Sequence, residues 1–554
     1  MAYSTVQAMR DVVARLALEA KTTPRIEADS RGKKAALFGL VAWVLAVFAV
    51  SAASLPLPNI GFAQDLGLML DAGWRYYQGL RPHADYHSPF GPVLGMLFGV
   101  PMTLFGPSYA SLKFLPAVVS AGIAFWAWAV CGDSLRPLAR FFTAVAIGAV
   151  AGGIYHQGFS PEILTFATFY NRVSFGLLAI VVLATLVPFR DVGWRCSLLR
   201  DISVVVAITL MAFFKANFAV ASIPFILWTT WQRKRSRAEW LAIGTAGSLL
   251  GLFFLSQIGF RPDLMIADLL MAASGRSKGV GYVFFPVRNT LANYDFIGLM
   301  ILQAVVLVAP LSSWGGMWKS QLQQLATLWF PGLVGLALTV TQSHGDGRGI
   351  ILVVSGMAAA LAQRFPGNTK DFETDSRVRR AVGTLTLVFA CLLFAVPHAT
   401  SYWTLYRVSL SPGPPQFPPG HIRELYVGPY TDLGAEYLPA LLEGISLLSR
   451  NCSPSDSLQF LGGCNIFSFS AGMRSPKKSM LFWCGLSTFS EKRHPSPDAF
   501  DDTQFILKLK DKYIVMDTWL AWKPVYSYYL SSHFETRDEG KYFELLERRD
   551  VKAE

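Results

Sequence analysis

Residues 64–92 read QDLGLMLDAGWRYYQGLRPHADYHSPFGP and follow closely on the first long apolar run of the chain, 35–55. The stretch concentrates aspartates, histidines and aromatic side chains, whereas the segments on either side are strongly apolar. Ionisable groups close to the hydrocarbon of a bilayer are costly and are functional candidates for that reason. The stretch therefore predicts chemistry at a membrane surface, carried by a fold that crosses the membrane.

The composition indicates a membrane protein. Of the 554 residues, 52% are hydrophobic and only 16% are charged, whereas soluble domains average about 25% charged residues. Uncharged runs such as 35–55, 202–214 and 382–397 approach or reach the roughly 20 residues that cross a bilayer. The net charge of +12 sits in short clusters between apolar runs, which is the distribution of the positive-inside rule rather than of a nucleic-acid-binding surface.

The basic clusters predict the topology. Arg31, Lys33 and Lys34 precede the first span, so we expect residues 1–34 on the cytoplasmic side, without a cleavable signal peptide. The outer loop 56–112 then lies on the opposite side. Within it, the apolar segment 90–106 is predicted to lie in the interface rather than to cross.

This interfacial prediction depends on the loops that follow. If 90–106 crossed the membrane, the arginine-bearing loops 132–140 and 190–200 would both lie outside, against the charge rule. We therefore predict a polytopic α-helical membrane protein of about eleven transmembrane helices plus one interfacial helix. The predicted spans are 35–55, 113–131, 141–157, 173–189, 201–214, 217–231, 240–259, 296–313, 322–341, 349–363 and 381–399.

The C-terminal part has a different character. A transmembrane domain over 35–400 is followed by a Pro- and Gly-rich linker at 411–420 and by charged, strand-like sequence at 457–460 and 512–516. The segment 401–554 is long enough for one small domain, which we predict to be α/β. The odd number of spans places this domain on the non-cytoplasmic side, which is the periplasm of a bacterial inner membrane.

The predicted outer face collects an unusual set of ionisable groups. Carboxylates come early in the chain and cations come later. A site that brings both together could bind an anionic lipid head group and also hold a general base. The candidates are Asp65, Asp71, Asp85, His87, His156, Glu162, Tyr170, Asn171, Arg172, Lys215, Asn217, Arg276, Lys278, Arg288 and the loop 342–348 with Arg348.

Simpler structural roles remain open for each candidate. Asp65 could cap a helix that runs from Leu66 to Tyr77, and we favour a solvated position for Asp71. Asp85 and His87 stand before Ser-Pro and could form a plain turn. The later cations could snorkel to the interface or carry solvated loop charge: Lys215, Arg276, Lys278 and Arg348.

The first outer loop resembles that of the GT-C membrane glycosyltransferases. In the branch with the protein O-mannosyltransferases and the lipid A aminoarabinose transferase, an acidic residue follows the first span, and a stretch like Asp-Val-His-Pro-Pro-Leu-Gly-Lys follows it. The corresponding stretch is DYHSPFGP at 85–92, after Asp65. Ser88 and Pro92 depart from the pattern, as does Gln64 where the mannosyltransferases carry a second acid. The specific similarity covers about residues 35–130.

The resemblance implies an inverting transfer of a sugar from a polyprenyl-phosphate donor to a glycan, lipid or protein acceptor. It implies Asp65 as the general base, with Asp85 and His87 binding the sugar or orienting that base. The phosphate partners would be Lys215, Arg276, Lys278, Arg288 and Arg348. No cofactor is implied with certainty, and a requirement for a divalent metal stays open.

Two other classes of membrane protein remain alternatives. A transporter or flippase also buries charges in its bundle, but it would show paired repeats with broken helices at matching positions. A polysaccharide polymerase or ligase also uses lipid-linked sugars, but it concentrates Arg and His in one late outer loop. In this chain the early acidic loop dominates.

Overall fold

The computed structural model describes residues 30–61, 63–156, 160–187, 194–232, 234–275, 318–340, 349, 351–364, 374–410, 420–422, 425, 427–430, 436–484, 488–513 and 522–549. Most of the described residues before 411 are helical. The helices are α1 Ser30–Ala53, α2 Ala63–Tyr77, α3 Pro92–Phe105, α4 Leu115–Cys131, α5 Pro137–Ala151, α6 Phe169–Leu186, α7 Trp194–Ala212, α8 Ala216–Gln232, α9 Arg237–Gln257, α10 Pro262–Gly275, α11 Trp318–Val340, α12 Ile351–Arg364 and α13 Thr374–Leu410.

Some of the helices are long enough to cross a membrane. Among the described residues, five helices are long and apolar enough to span a bilayer. They are Ser30–Ala53, Tyr109–Ser134, Phe169–Leu186, Arg237–Gln257 and Ala381–Leu410. Large apolar side chains project outward from the bundle, such as Phe38, Leu45, Trp231, Leu241 and Leu385, and a bilayer would cover them.

The predicted spans agree with the helices. Each span predicted from an apolar run coincides with a helix, except 296–313, which lies outside the described residues. Several of these helices are shorter than a bilayer needs, for example Pro137–Ala151 and Ile351–Gln363. The number of crossings therefore stays a prediction, whereas the helical bundle is confirmed.

Helix α6 lies at the centre of the bundle. Nearly all its side chains are buried, and it packs against α4, α5, α7, α8 and α12. An apolar helix that is buried all round belongs to the core of a large bundle. Its N-terminus is therefore a fixed point, and the candidate site is built around it.

One end of the bundle gathers the basic clusters. The Nζ of Lys33 lies 3.1 Å from the carboxylate of Asp133, so the start of α1 and the turn after α4 share this end. Arg235 pairs with Asp201 at 2.9 Å, and Arg200 donates to the carbonyl of Cys131. The loops predicted to be cytoplasmic thus lie together, as the charge bias required.

Helix α3 begins and ends at the opposite end of the bundle. At its start, the amide of Gly91 donates to the carbonyl of Phe214. Beyond its end, the Tyr109 hydroxyl donates to the carbonyl of Leu57, and Lys113 donates to the carbonyl of Ala52 at 2.9 Å. Both ends of α3 therefore lie away from the end that gathers the basic clusters, and its interfacial position stays a prediction.

The C-terminal part contains a mixed four-stranded sheet. Its order is β3 Leu458–Leu461, β4 Phe505–Leu509, β6 Phe543–Arg548 and β5 Phe534–Glu539. The first pair is parallel and the other two are antiparallel. The accompanying helices are α14 Tyr437–Asn451, α15 Phe467–Ala471 and α16 Lys523–His533, which agrees with the predicted α/β character.

Two boundaries in this region differ from the sequence prediction. Helix α13 continues to Leu410, so the apolar bundle extends past residue 400 before the linker begins. The strand-like run 512–516 begins in a short 3₁₀ turn, Asp511–Tyr513, and its remaining residues lie outside those described. The neighbouring strand is Phe505–Leu509, and four of its five residues are buried.

The first outer loop and the C-terminal part are paired by their backbones. Strand β1, Asn59–Gly61, runs parallel to β2, Val427–Tyr430. The indole of Trp74 in α2 donates to the carbonyl of Met473 at 2.8 Å. The C-terminal part therefore lies at the same end of the bundle as the outer loop.

The prediction of a solvated Asp71 is wrong. Asp71 is fully buried and pairs with Arg75 at 2.9 Å, one helical turn further along α2. Arg75 also donates to the carbonyl of Pro476 and to the hydroxyl of Ser479. Burial by the C-terminal segment, some 400 residues away, is what the local sequence could not indicate.

Candidate functional site

The site begins where α6 begins. Thr168 precedes the helix in the left-handed conformation, with φ of 55°, and its backbone amide donates to the Oδ2 of Asp65 at 2.9 Å. A helix N-terminus favours negative charge because its amides point outward and the helix dipole is positive there. The carboxylate of Asp65 is therefore held at an end of the central helix that suits an anion.

This contact changes the structural alternative for Asp65. The helix α2 begins at Ala63, two residues before Asp65, rather than at Leu66. The carboxylate binds the amide of Thr168, which is 103 residues away in the chain. The side chain of Asp65 therefore does more than cap its own helix.

Arg172 fixes the backbone around this point. Its guanidinium is fully buried and donates to four backbone carbonyls, with distances from 2.6 to 3.1 Å. Those carbonyls belong to Gly153, Tyr155, Thr165 and Ala167. Arg172 thus shapes the connection between α5 and α6 and, through it, the position of Thr168.

Lys215 reaches the same helix end from another segment. It is buried in the break between α7 and α8, and its Nζ donates to the side-chain carbonyl of Asn171. The Nζ also lies 4.9 Å from the ring centroid of Tyr170, a cation–π distance. Lys215 therefore does not snorkel to the interface; it faces the first turn of α6.

The motif loop 85–92 packs against the same residues at the start of α6. The ring of Phe90 lies 4.8 Å from that of Tyr170, which also lies beside Lys215. Gly91 must be glycine, because a Cβ there would lie 2.1 Å from the carbonyl oxygen of Phe213. The glycine of the motif thus allows the loop to approach the α7–α8 break that carries Lys215.

Asp268 holds the histidine side of the loop. His83 donates through Nδ1 to its Oδ2 at 2.7 Å, and His87 donates through Nδ1 to its Oδ1 at 2.7 Å. The amide of Ser88 adds a third hydrogen bond at 3.0 Å. Burial alone would raise the pKa of Asp268, but the bonds from the two histidines outweigh it and hold the pKa below its usual value.

Asp85 has a local partner. Its carboxylate accepts from the amide of Arg81 at 2.8 Å, and the Arg81 guanidinium lies 3.6 Å away. The side chain is only partly buried. This geometry agrees with the turn that the sequence left open, and a role for Asp85 in sugar binding stays a prediction.

The predicted site residues therefore divide into three groups. Asp65 binds the amide of Thr168 just before α6, Lys215 contacts Asn171 and Tyr170 in its first turn, and His87 lies on the adjoining loop. Asp85 is on that loop but binds Arg81. Four predicted phosphate partners lie outside the described residues: Arg276, Lys278, Arg288 and Arg348.

Sequence reasoning missed Asp268. It stands in the sequence PDLMIADLLMAASG of α10, in a region where the sequence analysis considered only the cations as site residues. A carboxylate inside the apolar run from Leu264 to Met271 was a usable signal, because buried acids need hydrogen-bond donors. Its partners lie more than 180 residues away, so the sequence did not identify them.

The fold resembles that of known membrane enzymes. It is similar to ArnT from Cupriavidus metallidurans bound to undecaprenyl phosphate, with a TM-score of 0.50, 12% identity and coverage of 93% of this chain and 98% of that one. For the apo state of that ArnT, the TM-score is 0.49 at 12% identity, covering 92% and 98% of the two chains. An Archaeoglobus fulgidus oligosaccharyltransferase tethered to an acceptor peptide gives 0.39 at 11% identity, covering 92% and 74%.

These similarities concern the fold. No protein-family model matches the sequence, and no curated protein matches it. ArnT is the lipid A aminoarabinose transferase, and it and the archaeal enzyme are GT-C superfamily members. The likeness to ArnT extends over nearly the whole of both chains, so the resemblance first noted in residues 35–130 is confirmed at the level of the fold.

Proposed function

We propose that the protein is an inverting glycosyltransferase, which moves a sugar from a polyprenyl-phosphate donor to a cell-envelope acceptor on the non-cytoplasmic face. One observation carries this proposal. A carboxylate of the first outer loop, Asp65, binds the amide of Thr168 just before α6, and a buried cation from a distant helix break, Lys215, binds Asn171 in the first turn of α6. The ArnT-like fold supports a lipid-linked donor, since that ArnT was seen with undecaprenyl phosphate.

In the proposed reaction the acceptor hydroxyl attacks the anomeric carbon of the donor sugar. Asp65 takes the hydroxyl proton as the new carbon–oxygen bond forms. The bond between the anomeric carbon and the phosphate oxygen breaks, and its electron pair stays on the departing lipid phosphate. Attack on the face opposite the leaving group inverts the configuration.

The leaving phosphate needs fixed positive charge in a place shielded from water. Lys215 suits this role because burial prevents screening of its charge, and its ammonium is already oriented by Asn171 and Tyr170. The remaining proposed phosphate partners are Arg276, Lys278, Arg288 and Arg348. The acceptor class, the sugar and any divalent metal are left open by this proposal.

The proposed orientation follows from the charge clusters. The end with Lys33, Asp133 and Arg235 is assigned to the cytoplasm of a bacterial inner membrane, and the C-terminal part to the periplasm. Reporter fusions after residue 137 and after residue 410 should give opposite signals. An outer-side signal from the fusion after residue 137 would mean that α3 crosses the membrane.

A transfer assay separates the proposed function from its rivals. Vesicles that contain the protein are given a panel of radiolabelled polyprenyl-phosphate sugars, and the products are separated from intact donor. A glycosyltransferase cleaves one donor and moves one sugar, and Asp65→Asn slows the transfer by roughly 10²–10⁴. A flippase would move donors across the bilayer without cleaving them, and a polymerase would lengthen a chain.

A further inference from the structure

Asp268 gathers three donors from one short loop. Both carboxylate oxygens are used: His87 donates to Oδ1, and His83 and the amide of Ser88 donate to Oδ2. Asp268 itself is buried and stands between apolar residues in the middle of α10. A buried carboxylate with this many donors is a strong positioning element, because each charge-assisted hydrogen bond is directional.

The two histidines differ in what their second ring nitrogen meets. The His83 side chain is fully buried, and its Nε2 has no hydrogen-bond partner. The His87 side chain keeps 34% of its surface exposed. Of the two rings, only that of His87 can reach a molecule bound at the outer face.

The hydrogen bond to Asp268 decides which nitrogen of His87 carries the proton. A carboxylate only accepts hydrogen bonds, so Nδ1 must donate. In the neutral ring, Nε2 then presents a lone pair. An atom of this kind binds a hydroxyl donor, whereas a phosphate, which offers only acceptors, is better served by Lys215.

Backbone hydrogen bonds hold the main chain of His87 against the C-terminal part. The His87 amide donates to the carbonyl of Ser479, and its carbonyl accepts from the amide of Leu481, both at 2.9 Å. Helix α10 is itself tied to the C-terminal part, where the hydroxyls of Ser274 and Ser490 lie 3.1 Å apart. Three residues beyond His87, the ring of Phe90 packs against the ring of Tyr170.

We propose that Asp268 is a positioning residue and that the Nε2 of His87 accepts a hydrogen bond from a hydroxyl of the transferred sugar. The inference rests on the proposed function and makes it more specific. The resemblance left open whether His87 binds the sugar or orients the base. This inference assigns His87 to the sugar. It also adds a residue, Asp268, that lies far outside the motif.

The matched pair of histidines provides the first test. In His83→Asn and His87→Asn, the amide nitrogen of asparagine can replace Nδ1 as donor to Asp268, but nothing replaces Nε2. Asparagine also tolerates the left-handed backbone of residue 83, with φ of 66°. Both variants should keep the melting temperature, and only His87→Asn should lose kcat/KM, by about tenfold to a hundredfold.

A double-mutant cycle provides the second test. In the parent, His83, His87 and the amide of Ser88 donate to both carboxylate oxygens of Asp268. Asp268→Asn keeps only one of these acceptor oxygens, so the preferred orientation of the His87 ring is lost. If Asp268 acts through His87, Asp268→Asn lowers kcat/KM in the parent and causes no further loss in the His87→Asn background. The readout is transfer of the radiolabelled donor that the parent uses, per folded protein.

Defined outcomes overturn the proposal. Equal losses in His83→Asn and His87→Asn, unfolding of His87→Asn, or the same loss from Asp268→Asn in both backgrounds would make the cluster a structural brace. In those cases a parent that still transfers sugar leaves the proposed function intact. A parent that transfers no donor of the panel overturns the proposed function and this inference together.

Discussion

Two buried carboxylates secure the outer loop, and they differ in what their partners reach. Asp71 pairs with Arg75 on the same helix, and both side chains are fully buried. Asp268 binds His83 and His87 from a distant segment, and His87 remains partly exposed. The first pair is closed on all sides, whereas the second ends in a ring that faces outward.

This difference separates a structural role from a functional one. A closed ion pair gives specificity to packing, since removal of one partner leaves an uncompensated charge in the interior. An open cluster can transmit its geometry to a bound molecule. We therefore expect Arg75 and Asp71 to control folding of the outer end, and Asp268 to control activity.

Breaking the closed pair should give the largest effect. Arg75→Met leaves Asp71 buried without its cation and removes the bonds to Pro476 and Ser479, so we expect a loss of about 3–5 kcal/mol in stability. Thermal melting of the purified protein in detergent measures it. The double variant Asp71→Leu with Arg75→Met should recover much of the loss, because no buried charge then remains. An unchanged melting temperature for Arg75→Met would contradict the closed-pair account.

Removal of the buried lysine should act on turnover rather than on folding. Lys215→Ala withdraws the charge proposed to stabilise the leaving phosphate, so we expect kcat to fall by about 10²–10³. Arg261→Ala is the matched control, since Arg261 is exposed and pairs with Asp263 in the same outer region. Equal activity of both variants would place the phosphate elsewhere.

A smaller effect is expected on the loop carboxylate. Asp85→Asn should mainly raise the Michaelis constant for the donor, by roughly tenfold, as for a group that binds the sugar in ground and transition state alike. Steady-state kinetics with the labelled donor measure the Michaelis constant and kcat separately. If the Michaelis constant is unchanged and the melting temperature falls, Asp85 only secures the turn through Arg81.

The smallest effect concerns pH. The pKa of Asp268 is lowered in the folded protein, so its contribution to stability is complete above the unfolded value of about 4 and is lost as pH falls through the lower folded value. The difference in melting temperature between the parent and Asp268→Asn should therefore narrow below about pH 4. A constant difference between pH 6 and pH 3 would show that ionisation of Asp268 contributes nothing.

The sequence was most informative where the pattern is local. Apolar runs indicated the helices, whereas the interfacial position of 90–106, which rests on Arg136, Arg140, Arg195 and Arg200, stays a prediction. The basic residues cluster at one end because the bilayer constrains each loop separately. Asp65 and Lys215 were proposed as site residues because ionisable groups next to apolar runs stand out.

The sequence was least informative where partners lie far apart. Asp71 was expected in solvent, since nothing within α2 indicates that the segment from Pro476 to Ser479 covers it. Asp268 was missed because its proposed role depends on hydrogen bonds from His83 and His87, which reach it only in the folded chain. Contacts of this kind depend on packing of whole segments, which local periodicity does not encode.

The transfer rate of Asp65→Asn tests the central claim most directly. Asparagine keeps a side-chain oxygen for the amide of Thr168 but cannot take a proton, so a base role predicts a stable variant that is slower by roughly 10²–10⁴. The rate is measured with the labelled donor, beside the melting temperature. Normal transfer by folded Asp65→Asn would contradict the account, and an inactive Asp85→Asn in the same experiment would assign the base to Asp85.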